Sequence, residues 1–223
     1  MLDVTKDAAL TRKPRYIVVE GPIGVGKSSL VRKLGERLDA RMIFEQVDEN
    51  PFLEGFYKDS RKYAFQTQLF FLLSRFQQQR ELAQQDLFAQ NTVSDYLFAK
   101  DKIFAYLNLS EHELALYERI YRMFEFEIVK PDLVVFLVAH PKVLLKRIRV
   151  RNHAYERRLG IEYLDQLTEA YSKFFFAYDE SPLLVVNTSE IDFVNNPEHF
   201  DALLTEIDTH TRGTKHFIPL GSG

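Results

Sequence analysis

Apolar residues fall in two rhythms along this chain. Short runs at Tyr16–Glu20 (YIVVE), Met42–Phe44, Thr92–Asp95, Leu133–Val138 (LVVFLV) and Leu183–Val186 (LLVV) predict five strands, the first of them buried. Between them the spacing turns helical. Leu30, Val31, Leu34 and Leu38 share one face of a helix over residues 27–38. Further helices are predicted over 52–57, 63–86, 99–107, 111–128, 141–151, 161–178 and 197–210. In the second of these, Phe65, Leu69, Leu72, Leu73 and Phe76 are assigned to one apolar side. Pro131 breaks the chain before its fourth strand, and Pro141 suits the first turn of the next helix.

Short apolar strands alternating with helices imply a parallel sheet covered on both faces. No internal repeat, low-complexity tract or linker interrupts the pattern. The expectation is therefore one α/β domain over 1–223, with 1–13 and 212–223 as flexible tails. Gly221-Ser222-Gly223 carries no functional signal. In such sheets ligands sit at the carboxyl ends of the strands.

Composition narrows the classes. A formal net charge of −3 over 223 residues gives no global basic field for nucleic acid. The absence of cysteine excludes a disulfide framework, a thiolate metal site and a Cys nucleophile. Met1–Lys13 lacks the apolar core of a signal peptide, and no stretch approaches the roughly 20 apolar residues of a membrane span. A cytoplasmic protein is expected.

The chemistry begins where the first strand ends. Gly21-Pro22-Ile23-Gly24-Val25-Gly26-Lys27-Ser28 has the G-x-x-x-x-G-K-S form between a strand and a helix. Glycines let the backbone approach phosphates closely, and successive N–H groups with the helix N-terminus favour an anion. Lys27 then reaches the β and γ phosphates, and Ser28 offers a hydroxyl to Mg²⁺. The loop predicts a nucleoside triphosphate without naming the acceptor.

Three other features stand at strand ends. Glu45 is either a proton acceptor for an attacking hydroxyl or a solvated strand-end charge. Asp95 is either a Mg²⁺ holder or a helix N-cap. Arg147, Arg149, Arg151, Arg157 and Arg158 form the densest basic cluster. Such a run is usually a solvated face. Arg147 and Arg151, four apart, share one side, and a closing arginine lid over a transferring phosphoryl group is the favoured reading. Most of the 19 Phe and 11 Tyr must be core, though Phe104 could border a planar base.

Together these residues resemble the deoxynucleoside kinase family, nearest its bacterial deoxyadenosine/deoxyguanosine kinase branch. The resemblance runs from Tyr16 to about Ile207, through EGPIGVGKSS, EQVDENPFLEGFYKD, YAFQTQLFFLLSRF, VSDYLFAKDKIFA, PDLVVFLVAHPKVLLKRIRVR, GIEYLDQL and NTSEIDFVNNP. It implies a P-loop kinase fold with an arginine-rich lid, ATP as phosphoryl donor, Mg²⁺, a deoxynucleoside acceptor and a homodimer. It assigns Gly21, Gly24, Gly26, Lys27, Ser28 and Ser29 to ATP, with Asp192 and Phe193 bordering its adenine. Glu45 becomes the general base at the 5′-hydroxyl. Tyr57 and Glu156 take the sugar 3′-hydroxyl, and Gln68, Arg75 and Asp101 face the base. Arg147 and Arg151 contact phosphates.

Two departures stand out. The family commonly has Asp/Glu-Arg-Ser after the third strand, whereas this chain has Asp95-Tyr96-Leu97. Its lid usually reads Arg-Gly-Arg, whereas this one reads Arg151-Asn152-His153, with Arg157 or Arg158 as substitutes. A nucleoside monophosphate kinase and a non-catalytic P-loop regulator are the rival readings. A purine acceptor, deoxyadenosine ahead of deoxyguanosine, is expected.

Overall fold

The computed structural model describes residues 15–84, 91–153, 156–157, 159–189 and 191–217. The expected tail 1–13, the helix end at Asp86, Arg158 and residues 218–223 lie outside the described residues. Six parallel strands form one sheet in the order β2-β3-β1-β4-β5-β6. These are β1 Tyr16–Glu20, β2 Arg41–Ile43, β3 Thr92–Ser94, β4 Leu133–Val138, β5 Leu183–Asn187 and β6 Thr214–Phe217. The helices are α1 Lys27–Leu38, α2 Leu53–Lys58, α3 Ser60–Gln84, α4 Asp101–Asn108, α5 Glu111–Phe124, α6 Pro141–Arg151, α7 Ile161–Phe176 and α8 Pro197–Thr209.

The sequence anticipated five strands, and the sixth corrects that count. β6 lies in the stretch assigned to a flexible tail. Thr214, Lys215 and His216 are exposed, so no apolar run marks it. Its partner is the backbone of β5, in the register Leu183↔Thr214 to Val186↔Phe217.

Alternating strand residues serve two cores. Ile17, Val19, Leu133, Val135 and Leu137 pack with α1, α6 and α8 through residues such as Leu34, Leu144 and Leu203. Val18, Val134 and Phe136 pack on the other face with Leu167, Tyr171 and Phe175 of α7 and Leu82 of α3. A smaller cluster around Leu72, Phe98 and Tyr117 joins α3, α4 and α5.

The apolar side read on α3 holds for Phe65, Leu69, Leu72 and Phe76, which pack in that smaller cluster, but not for Leu73. Leu73 is 49% exposed. The buried face carries Gln68, Leu72, Arg75, Gln79 and Leu82 at spacings of three and four. A buried polar stripe is costly unless every group finds a partner. Gln68 and Arg75 of that stripe stand in the wall of the site.

The chain leaves β1, builds α1, forms β2 at one edge and returns as β3 beside β1. It then crosses to β4 on the other side. This reversal opens a crevice at the carboxyl ends of β1 and β3, the expected place for a ligand in such sheets.

Candidate functional site

The phosphate loop follows β1 and caps α1. Gly21 has φ +151°, and a Cβ there would stand 2.4 Å from the Leu137 carbonyl oxygen. Gly24 has φ +83°, and its Cβ would meet the Ile148 side chain at 2.7 Å. Both positions therefore require glycine, for conformation and for space. Lys27 Nζ donates across the loop to the Gly21 oxygen at 2.7 Å and the Pro22 oxygen at 3.3 Å. Burial lowers the Lys27 pKa to about 8. The positive charge of Lys100 adds to that shift, while Glu20, Asp95 and Glu45 oppose it.

Ser28 Oγ donates to Asp95 Oδ2 at 2.6 Å, and the Glu45 backbone N–H donates to Asp95 Oδ1 at 2.8 Å. One carboxylate thus joins the first turn of α1 to the chain beyond β2. A hydroxyl beside a carboxylate is a hard oxygen donor set of the kind Mg²⁺ accepts, the remaining ligands being phosphate and water. Among the described residues no cluster of three or more His, Cys, Asp or Glu forms an all-protein metal cage.

Glu45 is held by two cations. Arg75 donates through Nε at 2.8 Å and through its terminal nitrogen to Oε1. Lys100 Nζ lies 2.9 Å from Oε2. Burial alone would raise the Glu45 pKa. Arg75 and Lys100 outweigh it and hold the carboxyl well below the usual carboxylate range. Glu45 is therefore ionised and able to accept a hydrogen bond, but it is only weakly basic.

Arg75 also pairs with Asp101 Oδ1. Asp101 is fully buried, and its Oδ2 accepts from Gln68 Nε2 and from the Tyr117 hydroxyl, each at 2.7 Å. Gln68 Nε2 donates again to the Asp101 carbonyl at 2.8 Å. Gln68 and Arg75 line the cavity, and Asp101 stands behind them.

Two cavities meet at the phosphate loop. The first is about 350 Å³ and has Glu45, Tyr57, Gln68, Arg75, Phe104 and Glu156 in its walls. The second is about 800 Å³ and is bordered by Gly26, Ser29, Arg147, Asp192 and Phe193. Gly24, Lys27, Ser28, Arg32, Arg151 and His153 border both. Of the residues that the resemblance assigns to ATP, its phosphates or the nucleoside, Gly21 and Asp101 border neither cavity. Asp95 lines the first cavity as well, and Gly21 lies beneath the loop.

The arginine-rich segment continues from α6. Arg147 donates to the Val25 carbonyl at 3.2 Å, to Thr188 Oγ1 at 3.1 Å and to the Thr188 carbonyl at 2.7 Å. It ties the phosphate loop to the end of β5. Arg151 forms a two-point pair with Glu156 at 3.2 and 2.5 Å. Asn152 closes α6 with φ +58°, a conformation Asn tolerates better than most residues. Arg157 donates to Asn152 Oδ1 at 3.1 Å and borders neither cavity, so Arg151 and His153 are the described lid residues at their junction.

Sequence reasoning missed Lys100. It is 3% exposed and belongs to a short 3-10 turn leading into α4. No local pattern singles it out. The only hint was the missing arginine of Asp95-Tyr96-Leu97, which left a positive role unfilled. Glu20 was missed too. Its Oε1 accepts from the Gly21 N–H at 2.8 Å and from the Tyr171 hydroxyl at 3.1 Å, and its Oε2 accepts from the Leu97 N–H at 2.8 Å. It fixes the root of the phosphate loop.

Comparison with known proteins agrees with this geometry. The family model described as deoxynucleoside kinase matches residues 17–212. Deoxyguanosine kinase from Bacillus subtilis is 32% identical over 197 residues, covering 86% of this chain and 95% of that protein. Deoxyadenosine kinase from Dictyostelium discoideum is 35% identical over 181 residues, covering 78% and 73%. Among solved structures, deoxyadenosine kinase from M. mycoides with bound dATP superposes with a TM-score of 0.75 at 25% identity, covering 87% of this chain and 100% of that one. Phosphate loop, paired cavities, sheet order and sequence relatives converge: the chain belongs to the deoxynucleoside kinase family.

Proposed function

We propose that this protein transfers the γ-phosphoryl group of ATP to the 5′-hydroxyl of a purine deoxynucleoside, as a homodimeric salvage enzyme of the cytoplasm. The observation that carries the reading is Glu45. It is an ionised carboxylate in the wall of the smaller cavity, joined through Asp95 to Ser28 of the phosphate loop. The larger cavity takes ATP, with Asp192 and Phe193 beside its adenine. The smaller takes the nucleoside, with Tyr57 and Glu156 at the sugar and Gln68 and Arg75 at the base.

The 5′-hydroxyl donates to Glu45, which aims its oxygen at the γ-phosphorus. The O5′–Pγ bond forms as the bond from Pγ to the bridging oxygen breaks. ADP leaves, and the hydroxyl proton passes to Glu45 and on to water. Such transfers run through loose transition states, so alignment and charge matter more than basicity. A strongly depressed pKa at Glu45 fits a group that orients the hydroxyl and receives its proton late. Lys27, Arg147 and Arg151 meet the phosphoryl charge. Ser28 and Asp95 would hold Mg²⁺, which supplies further charge neutralisation at the phosphates.

The base reading follows from Gln68. Both of its N–H groups are used by Asp101, so its carbonyl oxygen is the atom left for a ligand. That acceptor beside the Arg75 donors matches adenine N6 and N1, and equally guanine N1 and O6. The purine choice draws on the named activities of the Bacillus and Dictyostelium relatives. A monophosphate acceptor fits worse, because the residues assigned to the sugar are Tyr57 and the acid Glu156, which would face its charge.

The test is a phosphorylation screen of the four deoxynucleosides with ATP and Mg²⁺. Deoxyadenosine and deoxyguanosine should be converted to 5′-monophosphates. Nucleoside-independent ATP hydrolysis, or transfer only to monophosphates, would overturn the reading.

A further inference from the structure

A lysine side chain that is 4% exposed needs a reason to be where it is. Removing an ammonium from water costs several kcal/mol unless partners return it. Lys100 has Glu45 Oε2 at 2.9 Å and the Phe104 ring face at 6.0 Å, and it lines the smaller cavity. Arg75 already covers the other oxygen of Glu45. One carboxylate thus faces two cations, and Lys27 lies close enough for the charge of Lys100 to weigh on it. Arg75 is shared with Asp101, which balances it.

The two partners of Glu45 differ in freedom. Arg75 is fixed at both ends of its planar guanidinium, by Glu45 and by Asp101. Lys100 is a compact point charge on a rotatable stem, with three donor hydrogens. It can keep its place near Glu45 while turning toward an oxygen that gains charge beside that carboxylate. An atom hydrogen-bonded to Glu45 lies within reach of the same ammonium.

We propose that Lys100 is a catalytic residue: its ammonium binds the 5′-oxygen of the acceptor and then the phosphate ester formed there. The inference rests on the nucleoside-kinase reading above. During transfer the O5′–Pγ bond forms, the bond to ADP breaks and the proton leaves through Glu45. Lys100 keeps its own proton throughout and stabilises charge only. In this chain it fills the place left empty when Asp95 is followed by Tyr96 and Leu97 rather than by arginine and serine. A purely structural lysine would only neutralise Glu45, and the two roles predict different binding.

The experiment measures binding of deoxyadenosine and of its 5′-monophosphate by calorimetry, without ATP or Mg²⁺, to the full chain and to Lys100→Met and Lys100→Arg. Steady-state kcat and KM are measured alongside. Lys100→Met should weaken the monophosphate at least about tenfold and the nucleoside less than about threefold, with kcat falling about 10²-fold or more. Lys100→Arg should recover most of the monophosphate affinity. If Lys100→Met does not fold, the double variant Glu45→Gln/Lys100→Met removes the pair together and is compared with Glu45→Gln; it should bind the monophosphate more weakly. Parallel loss of both ligands, or unchanged monophosphate binding, would overturn the role of Lys100. A wild-type chain that phosphorylates no deoxynucleoside would instead overturn the functional reading beneath it.

Discussion

Gln68 gives both hydrogens of its amide to Asp101, one to the side chain at 2.7 Å and one to the backbone carbonyl at 2.8 Å. Asp101 lines neither of the two cavities, so it acts on a ligand through the residues it holds, Gln68 and Arg75. Asp101→Asn would both donate and accept, releasing that constraint and leaving Arg75 short of a charge partner. The expected result is a drop of about 10–100-fold in kcat/KM for deoxyadenosine, with the ratio moving toward deoxyguanosine. Parallel assays of both nucleosides measure it. An unchanged ratio would show that the orientation of Gln68 does not select the base.

Lys27 offers a prediction in pH. Its folded pKa of about 8 lies below the ordinary value of 10.5. Between these limits the unfolded chain binds the proton more tightly, so this residue makes folding more favourable as pH rises through that window. Triphosphate charge beside Lys27 should restore its proton. ATP binding near pH 9 is therefore accompanied by proton uptake, visible as a dependence of calorimetric enthalpy on the buffer's ionisation enthalpy. Lys27→Ala should abolish both the uptake and turnover while the fold persists. Uptake that survives in Lys27→Ala would assign the proton elsewhere.

Glu45→Gln removes the charge between Arg75 and Lys100 but keeps the shape. We expect kcat to fall by about 10²–10⁴-fold, and nucleoside affinity to change far less. A raised KM with kcat intact would make Glu45 a binding residue only.

Tyr57 lies in the wall of the smaller cavity, on α2. With its phenol at the sugar, as proposed, a 2′-hydroxyl would be disfavoured. Adenosine should show a kcat/KM clearly below that of deoxyadenosine. Equal values would remove Tyr57 from that role.

The sixth strand can be tested by truncation. Phe217 packs against the main core, and Lys215 pairs with Glu206 at 2.5 Å. Removing residues from 214 onward should lower Tm by about 3–6 °C, since each kcal/mol is worth roughly 2–4 °C at this size. An unchanged Tm in a thermal melt would restore the segment to a dispensable tail.

What the sequence made legible is what local spacing controls. The phosphate loop, five of the six strands and the lid arginines each announce themselves within a dozen residues. Glu45 and Asp95 were visible as strand-end acids, and the structure adds the link between them through one backbone N–H. β6 was hidden because a strand paired at the edge needs no apolar run of its own. Lys100 was hidden because its meaning comes from Glu45, 55 positions away. The buried polar stripe of α3 was hidden for the same reason. Gln68 and Arg75 are buried against residues from another helix, and no periodicity carries that information.

One consequence reaches beyond the chemistry. The space where a side chain at Gly24 would stand is taken by Ile148 and by the Leu144 carbonyl of α6. Positions 24 and 148 lie 124 residues apart, yet they divide a single volume. A larger residue at 24 is viable only with a smaller one at 148, and with a backbone that no longer needs positive φ. The two sites are therefore expected to drift as a pair in descendants of this chain. The loop that grips the nucleotide and the helix that carries the lid share one evolutionary constraint.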